Sequence, residues 1–162
     1  MRAQRARKRR GFTLVEMLVV ITLVGILAAA ARPLVEVSQR RARETELRQA
    51  LRGIRQAIDD YKRAADQGRI EQPPGASGYP PNLLALVDGV ADQRASAASG
   101  RLYFLRRLPR DPFAPAELPA EQSWALRSHD SPPEAPSPGL DVFDVASRST
   151  QRALDGSDYA QW

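Results

Sequence analysis

The sequence predicts an α+β chain in which one long N-terminal α-helix, half membrane-type and half amphipathic, packs on a small antiparallel β-sheet with variable loops. Three features carry that reading. Phe12 to Ala31 form an apolar run, an amphipathic stretch follows Pro33, and twelve of the thirteen prolines fall between Pro73 and Pro138. The apolar run is long enough for a helix of about 30 Å, the hydrocarbon thickness of a bilayer. The late prolines exclude long helices from the second half, which favours short strands and turns there.

In chain order the expected parts are a basic leader (1–11), a transmembrane segment (12–31), the amphipathic half of the long helix (32–66) and a small globular domain (67–162) that packs on it. The 162 residues carry a formal charge of +5, and six of the cations lie within the first ten residues. Without those six, 18 basic side chains face 19 acidic ones. The basicity therefore belongs to the leader, and composition gives no support for a nucleic-acid partner. The same cations keep the leader on the cytoplasmic side under the positive-inside rule and send the rest of the chain across the membrane in a single pass. Glu16 is the exception inside the apolar run. An ionisable group there costs a few kcal/mol unless it is hydrated near the interface or meets a cation from another chain.

After Pro33 the apolar residues Leu47, Leu51, Ile54, Ile58 and Tyr61 recur at spacings of four, three, four and three, one stripe of a helix. The other faces carry Glu36–Arg40, Glu44–Arg48, Arg55–Asp59 and Asp59–Arg63 at i,i+4, where ion pairs are expected. The helix should run to about Ala65 with Gly68 as its stop, making with the membrane half a rod roughly 80 Å long. Asn82 can cap a short helix over Leu83–Val87 ending near Gly89. A second helical piece is expected over Leu102–Leu108, a turn at Asp111-Pro112, strands over Ser123–Arg127 and Leu140–Val145, and a loop over Asp130–Gly139.

Zero cysteines exclude a disulfide scaffold, thiol nucleophiles and cysteine-bound zinc. The single histidine, His129, makes a Ser-His-Asp triad or a histidine metal cluster a poor reading, and a surface position without a role is the ordinary one. No phosphate loop or glycine fingerprint is present, so no catalytic residue is assigned and the chain reads as a non-enzyme.

Three export signals compete for the N-terminus. A secretory signal would have an apolar core of about 7–15 residues and a small-residue cleavage site, for which Ala29-Ala30-Ala31 could serve. Arg9-Arg10 could be claimed for a twin-arginine signal. The third fits best. Gly11-Phe12-Thr13-Leu14-Val15-Glu16, after a basic leader and before an unbroken apolar helix, resembles the class III signal of type IV pilins and pseudopilins. That resemblance implies cleavage between Gly11 and Phe12 by prepilin peptidase and methylation of the Phe12 amine. It also implies pairing of Glu16 with the Phe12 amine of a neighbouring subunit during fibre assembly. Gly25 and Pro33, both poor helix residues, match positions where the family's helix kinks or melts on packing into the fibre.

Further strings narrow the resemblance to the major pseudopilin of type II secretion: Tyr79-Pro80-Pro81, Leu105 to Phe113, Asp141 to Val145, and Ala153 to Trp162. It implies a homopolymeric fibre in the periplasm of a bacterial cell, grown from the inner membrane by an assembly platform and its ATPase together with minor pseudopilins. Two departures stand out. Phe113-Ala114 replace the usual tryptophan and glycine after Asp-Pro. The family's calcium loop corresponds here to Ser147–Arg152, with two arginines and no acid before Asp155. Asp155, Ser157 and Asp158 are the candidate calcium ligands, and a solvated turn is the alternative. A type IV pilin-like or minor pseudopilin subunit, and an anchored periplasmic binding module, remain the rival functions. An N-terminus at Arg32 would favour ordinary secretion, and a methylated Phe12 the pseudopilin.

Overall fold

The computed structural model describes residues 12–95 and 100–162. The chain divides into two compact units at Gln39/Arg40, and each is described by itself.

Helix α1, Leu14–Asp66, contributes to both units. In the first, every large apolar side chain from Leu14 to Leu27 is 45–81% exposed. None of the described residues buries this surface. In the second, the predicted stripe of Leu47, Leu51, Ile54, Ile58 and Tyr61 is fully buried, joined by Ala50, Ala57 and Ala64. Gly68 ends the helix as expected. Its φ is 67°, and the N–H groups of Gly68 and Arg69 donate to the carbonyls of Ala65 (2.8 Å) and Ala64 (2.9 Å). This is the Schellman arrangement, which a left-handed glycine makes inexpensive.

The sheet is two separate antiparallel ladders. Strands β1 (Val90–Ala91) and β2 (Arg101–Leu102) form one, and β3 (Trp124–Arg127) and β4 (Asp144–Ser147) the other. Asn82 does cap the short helix, its side-chain oxygen accepting from the Ala85 N–H at 2.9 Å, but helix α2 covers Ala85–Asp88 rather than Leu83–Val87.

Two expectations are corrected. Leu102–Leu108 is not helical: Leu102 belongs to β2, and the amides of Phe104 and Leu105 both donate to the Leu86 carbonyl (3.0 and 2.9 Å). The three-residue spacing of Leu102, Leu105 and Leu108 imitates a helix, whereas the backbone is held by α2. The last strand begins at Asp144, not at Leu140. Leu140 is 97% exposed, and the Val142 N–H donates to Pro80 (2.8 Å), outside the ladder. Asp141 is drawn away instead. Its carboxylate accepts from Ser128 Oγ (2.8 Å), the His129 N–H (2.9 Å) and Ser77 Oγ. Burial pushes its pKa up, but these three donors outweigh that and hold it below the ordinary aspartate value.

The Asp111-Pro112 turn does more than reverse the chain. Asp111 is fully buried, accepting from Ser147 Oγ at 2.6 Å and the Phe113 N–H at 2.8 Å, while its own N–H donates to Ser123 Oγ at 3.2 Å. It thus clips β4 to the segment entering β3. Trp124, next to Ser123, is fully buried, with its indole N–H on the Pro109 carbonyl at 3.0 Å.

Candidate functional site

Thr13 precedes the first helical residue and acts as N-cap. Its Oγ1 accepts from the Glu16 N–H at 3.2 Å, and its carbonyl accepts from the Met17 N–H at 3.2 Å. Thr13-Leu14-Val15-Glu16 therefore has the spacing of a capping box, with Glu16 in the first turn where an acid complements the helix dipole. The sequence reading missed this local role, although threonine followed by glutamate three residues later signals it. Glu16 is exposed and makes no ion pair among the described residues, and Phe12 is 69% exposed. Gly11, the other half of the expected cleavage site, lies outside the described residues.

Gly25 and Pro33 both lie inside α1. A Cβ on Gly25 would meet nothing within 4 Å among the described residues, which give no steric reason for glycine there. Pro33 lacks an N–H, which leaves the Ala29 carbonyl without its intrahelical donor.

The i,i+4 pairs expected at Glu36–Arg40, Glu44–Arg48, Arg55–Asp59 and Asp59–Arg63 do not form. Among the described residues the register is instead Arg32–Glu36 (4.0 Å) and Arg40–Glu44 (3.9 Å), with Arg63 on Asp60 (2.6 Å). Arg48 and Arg55 are drawn off by the C-terminal segment, to Asp155 (3.2 Å) and Asp144 (2.7 Å). Glu44 is buried beside them, accepting from Tyr159 OH (2.9 Å) and the Leu154 N–H (2.8 Å). Burial first, then Glu44, pushes the Tyr159 hydroxyl above its ordinary pKa, although Arg40 pulls the other way.

Asp155, Ser157 and Asp158 do lie in one turn, but they do not fit calcium. Asp155 Oδ1 accepts from Ser157 N–H (3.0 Å) and Oγ (2.5 Å), and its Oδ2 takes Arg48. The two Ser157 donors, and then Arg48, hold its pKa below the ordinary range. Ser157 Oγ accepts the Trp162 indole N–H at 2.7 Å, and Asp158 pairs with Arg152 at 3.4 Å. A calcium ion needs six to eight converging oxygens; here the acidic oxygens face arginines. No group of three or more acidic or histidine side chains suited to a metal occurs among the described residues. His129 is exposed, its ring 5.4 Å from Tyr79 and 5.6 Å from Phe143.

Comparison with known proteins agrees with the N-terminal reading. The family described as the prokaryotic N-terminal methylation motif matches residues 6–31. The chain is similar to the type II secretion system core protein G of Aeromonas hydrophila, 30% identical over 111 residues that cover 66% of this chain and 69% of the relative. It is also similar to the core protein G of Klebsiella pneumoniae, 31% identical over 107 residues covering 66% of this chain and 71% of that protein. No solved structure matches it. With its methylation motif, its long N-terminal helix on small antiparallel ladders, and this identity across two-thirds of the relatives' length, the chain belongs to the core protein G family of type II secretion, the major pseudopilins.

Proposed function

We propose that this chain is a structural subunit, without catalytic activity of its own, that polymerises into a short periplasmic fibre and so helps drive protein export across the outer membrane. Prepilin peptidase cuts between Gly11 and Phe12 and the Phe12 amine is methylated. The mature subunit then waits in the inner membrane, anchored by residues 12–31, with its C-terminal domain in the periplasm. Minor pseudopilins and an inner-membrane platform with its ATPase are the partners this role requires.

The observation that supports it is the apolar surface of α1 from Leu14 to Leu27, exposed on every side, with one carboxylate, Glu16, within it. A bilayer or a bundle of identical helices is what can cover such a surface. Cleavage creates a cation on Phe12, four residues before Glu16. A neighbour's ammonium group neutralising Glu16 removes two unpaired charges from oil and sets the axial step between subunits. Gly25, with open space around its Cα, permits a neighbouring helix to approach closely.

The test is the mature N-terminus together with two variants. Mass spectrometry should find N-methylphenylalanine at residue 12. Glu16→Ala and Glu16→Gln should both be processed and both fail to form fibres, since glutamine keeps the polar group at the helix cap while losing the charge. Normal fibres from Glu16→Gln would refute the charge pairing, and an N-terminus at Arg32 would refute the role altogether.

A further inference from the structure

Helix α1 carries Arg40, Glu44, Arg48 and Arg55 along one side, and all four engage residues 144–162. Arg40 donates to Tyr159 OH (3.3 Å) and to the Arg152 carbonyl. Arg48 pairs with Asp155 and lies over the Trp162 ring, 3.9 Å from its centroid. Arg55 makes the densest set: Asp144 Oδ1 at 2.7 Å, the Val145 carbonyl at 3.0 Å and the Trp162 carbonyl at 2.6 Å. Glu44 receives the Leu154 amide and the Tyr159 hydroxyl between them.

These acceptors, backbone carbonyls and aspartate oxygens, are the ligand types that a calcium ion gathers when it organises a loop. In this chain each of them already faces a guanidinium fork, which satisfies carbonyl and carboxylate oxygens with fixed, directional donors and never loses its charge. Arg148 and Arg152, in the stretch where the resemblance implies the metal loop, add positive charge that opposes a divalent cation.

We infer that Arg40, Arg48 and Arg55 do the work of a metal ion in this pseudopilin, bracing Asp144–Trp162 against α1 so that the domain is folded and protease-resistant without calcium. The inference goes beyond fibre assembly and concerns the single subunit, so it stands or falls independently of whether the subunit polymerises.

The experiment uses the full chain in detergent. Thermal unfolding and limited proteolysis are compared in millimolar calcium and in EGTA, with calorimetric titration of calcium chloride alongside. Melting temperature and cleavage rate should be the same in both, with no saturable heat. A melting temperature lowered by EGTA, or saturable calcium binding, would overturn the inference. Arg48→Met keeps an unbranched, flexible stem and removes both the charge and the stack on Trp162. Cleavage within Asp144–Trp162 should then be about fivefold faster while the helical signal is kept, and calcium should not reverse it. Arg48→Lys, which keeps the charge without the fork, should fall between the two. Unchanged protection in Arg48→Met, or rescue of it by calcium, would refute the bracing role.

Discussion

Replacing Asp111 with alanine should destabilise the Arg40–Trp162 unit by about 2–4 kcal/mol. The carboxylate is fully buried and accepts from the Ser147 hydroxyl at 2.6 Å and the Phe113 amide at 2.8 Å. Alanine leaves both donors in place with no acceptor, and an orphaned buried donor costs about 1–3 kcal/mol. Relief from desolvating a carboxylate offsets part of that sum. For a domain of this size, about 4 °C of melting temperature corresponds to 1 kcal/mol, so a fall of about 8–16 °C is expected. Near-ultraviolet circular dichroism of the full chain in detergent reads it, because buried Trp124 is hydrogen-bonded to Pro109, two residues before Asp111. Asp111→Asn should lose much less, since its carbonyl keeps the Phe113 amide and its NH2 group can donate to the Ser147 oxygen. If asparagine proves as damaging as alanine, or alanine shifts the melting temperature by under about 2 °C, the clip does not hold β4 as described.

Ile54→Ala removes a fully buried side chain at the centre of the stripe and should cost about 2–5 kcal/mol by denaturant unfolding. Gly89→Ala should also destabilise. Gly89 has φ of 75°, and a Cβ there would meet Tyr103 Cε1 at 2.7 Å, so both backbone and ring must shift; an unchanged denaturation midpoint would contradict this. The depressed pKa of Asp141 has a definite sign: its stabilisation is complete above the ordinary aspartate value of 3.8 and is lost as pH falls through the lower folded value. The stability advantage of the native chain over Asp141→Asn, measured across pH 7 to 2, should therefore shrink only in the acid range below about 4.

The long helix was legible because its signals are local. The apolar stripe needs only its own spacing, Gly68 only its place after the last turn, and the Gly11–Glu16 motif only six consecutive residues. The Asn82 cap and the Asp111-Pro112 turn are likewise short-range, and β3 came out within one residue. What failed was decided at long range. Leu140–Val145 alternates like a strand, but Asp141 finds donors in Ser77, Ser128 and His129, and the ladder starts three residues later. Ser147 faces inward because Asp111 is there to receive it. The expected helix-surface ion pairs failed for a similar reason. Arg40, Glu44, Arg48 and Arg55 fall in a sector about 80° wide beside the apolar stripe, close enough to the domain boundary to prefer acceptors on the C-terminal segment. That flanking position was readable; the identity of the acceptors was not.

Eight of the sixteen buried apolar side chains among the described residues come from α1. Some of what covers them comes from far along the chain: Glu44 closes on Leu154 and Tyr159 across 110 and 115 residues of sequence. Closing such wide loops is slow, because the entropy of closure is spent before the contacts reward it. Part of the buried face of α1 therefore stays open until residues 154 to 159 fold back onto it.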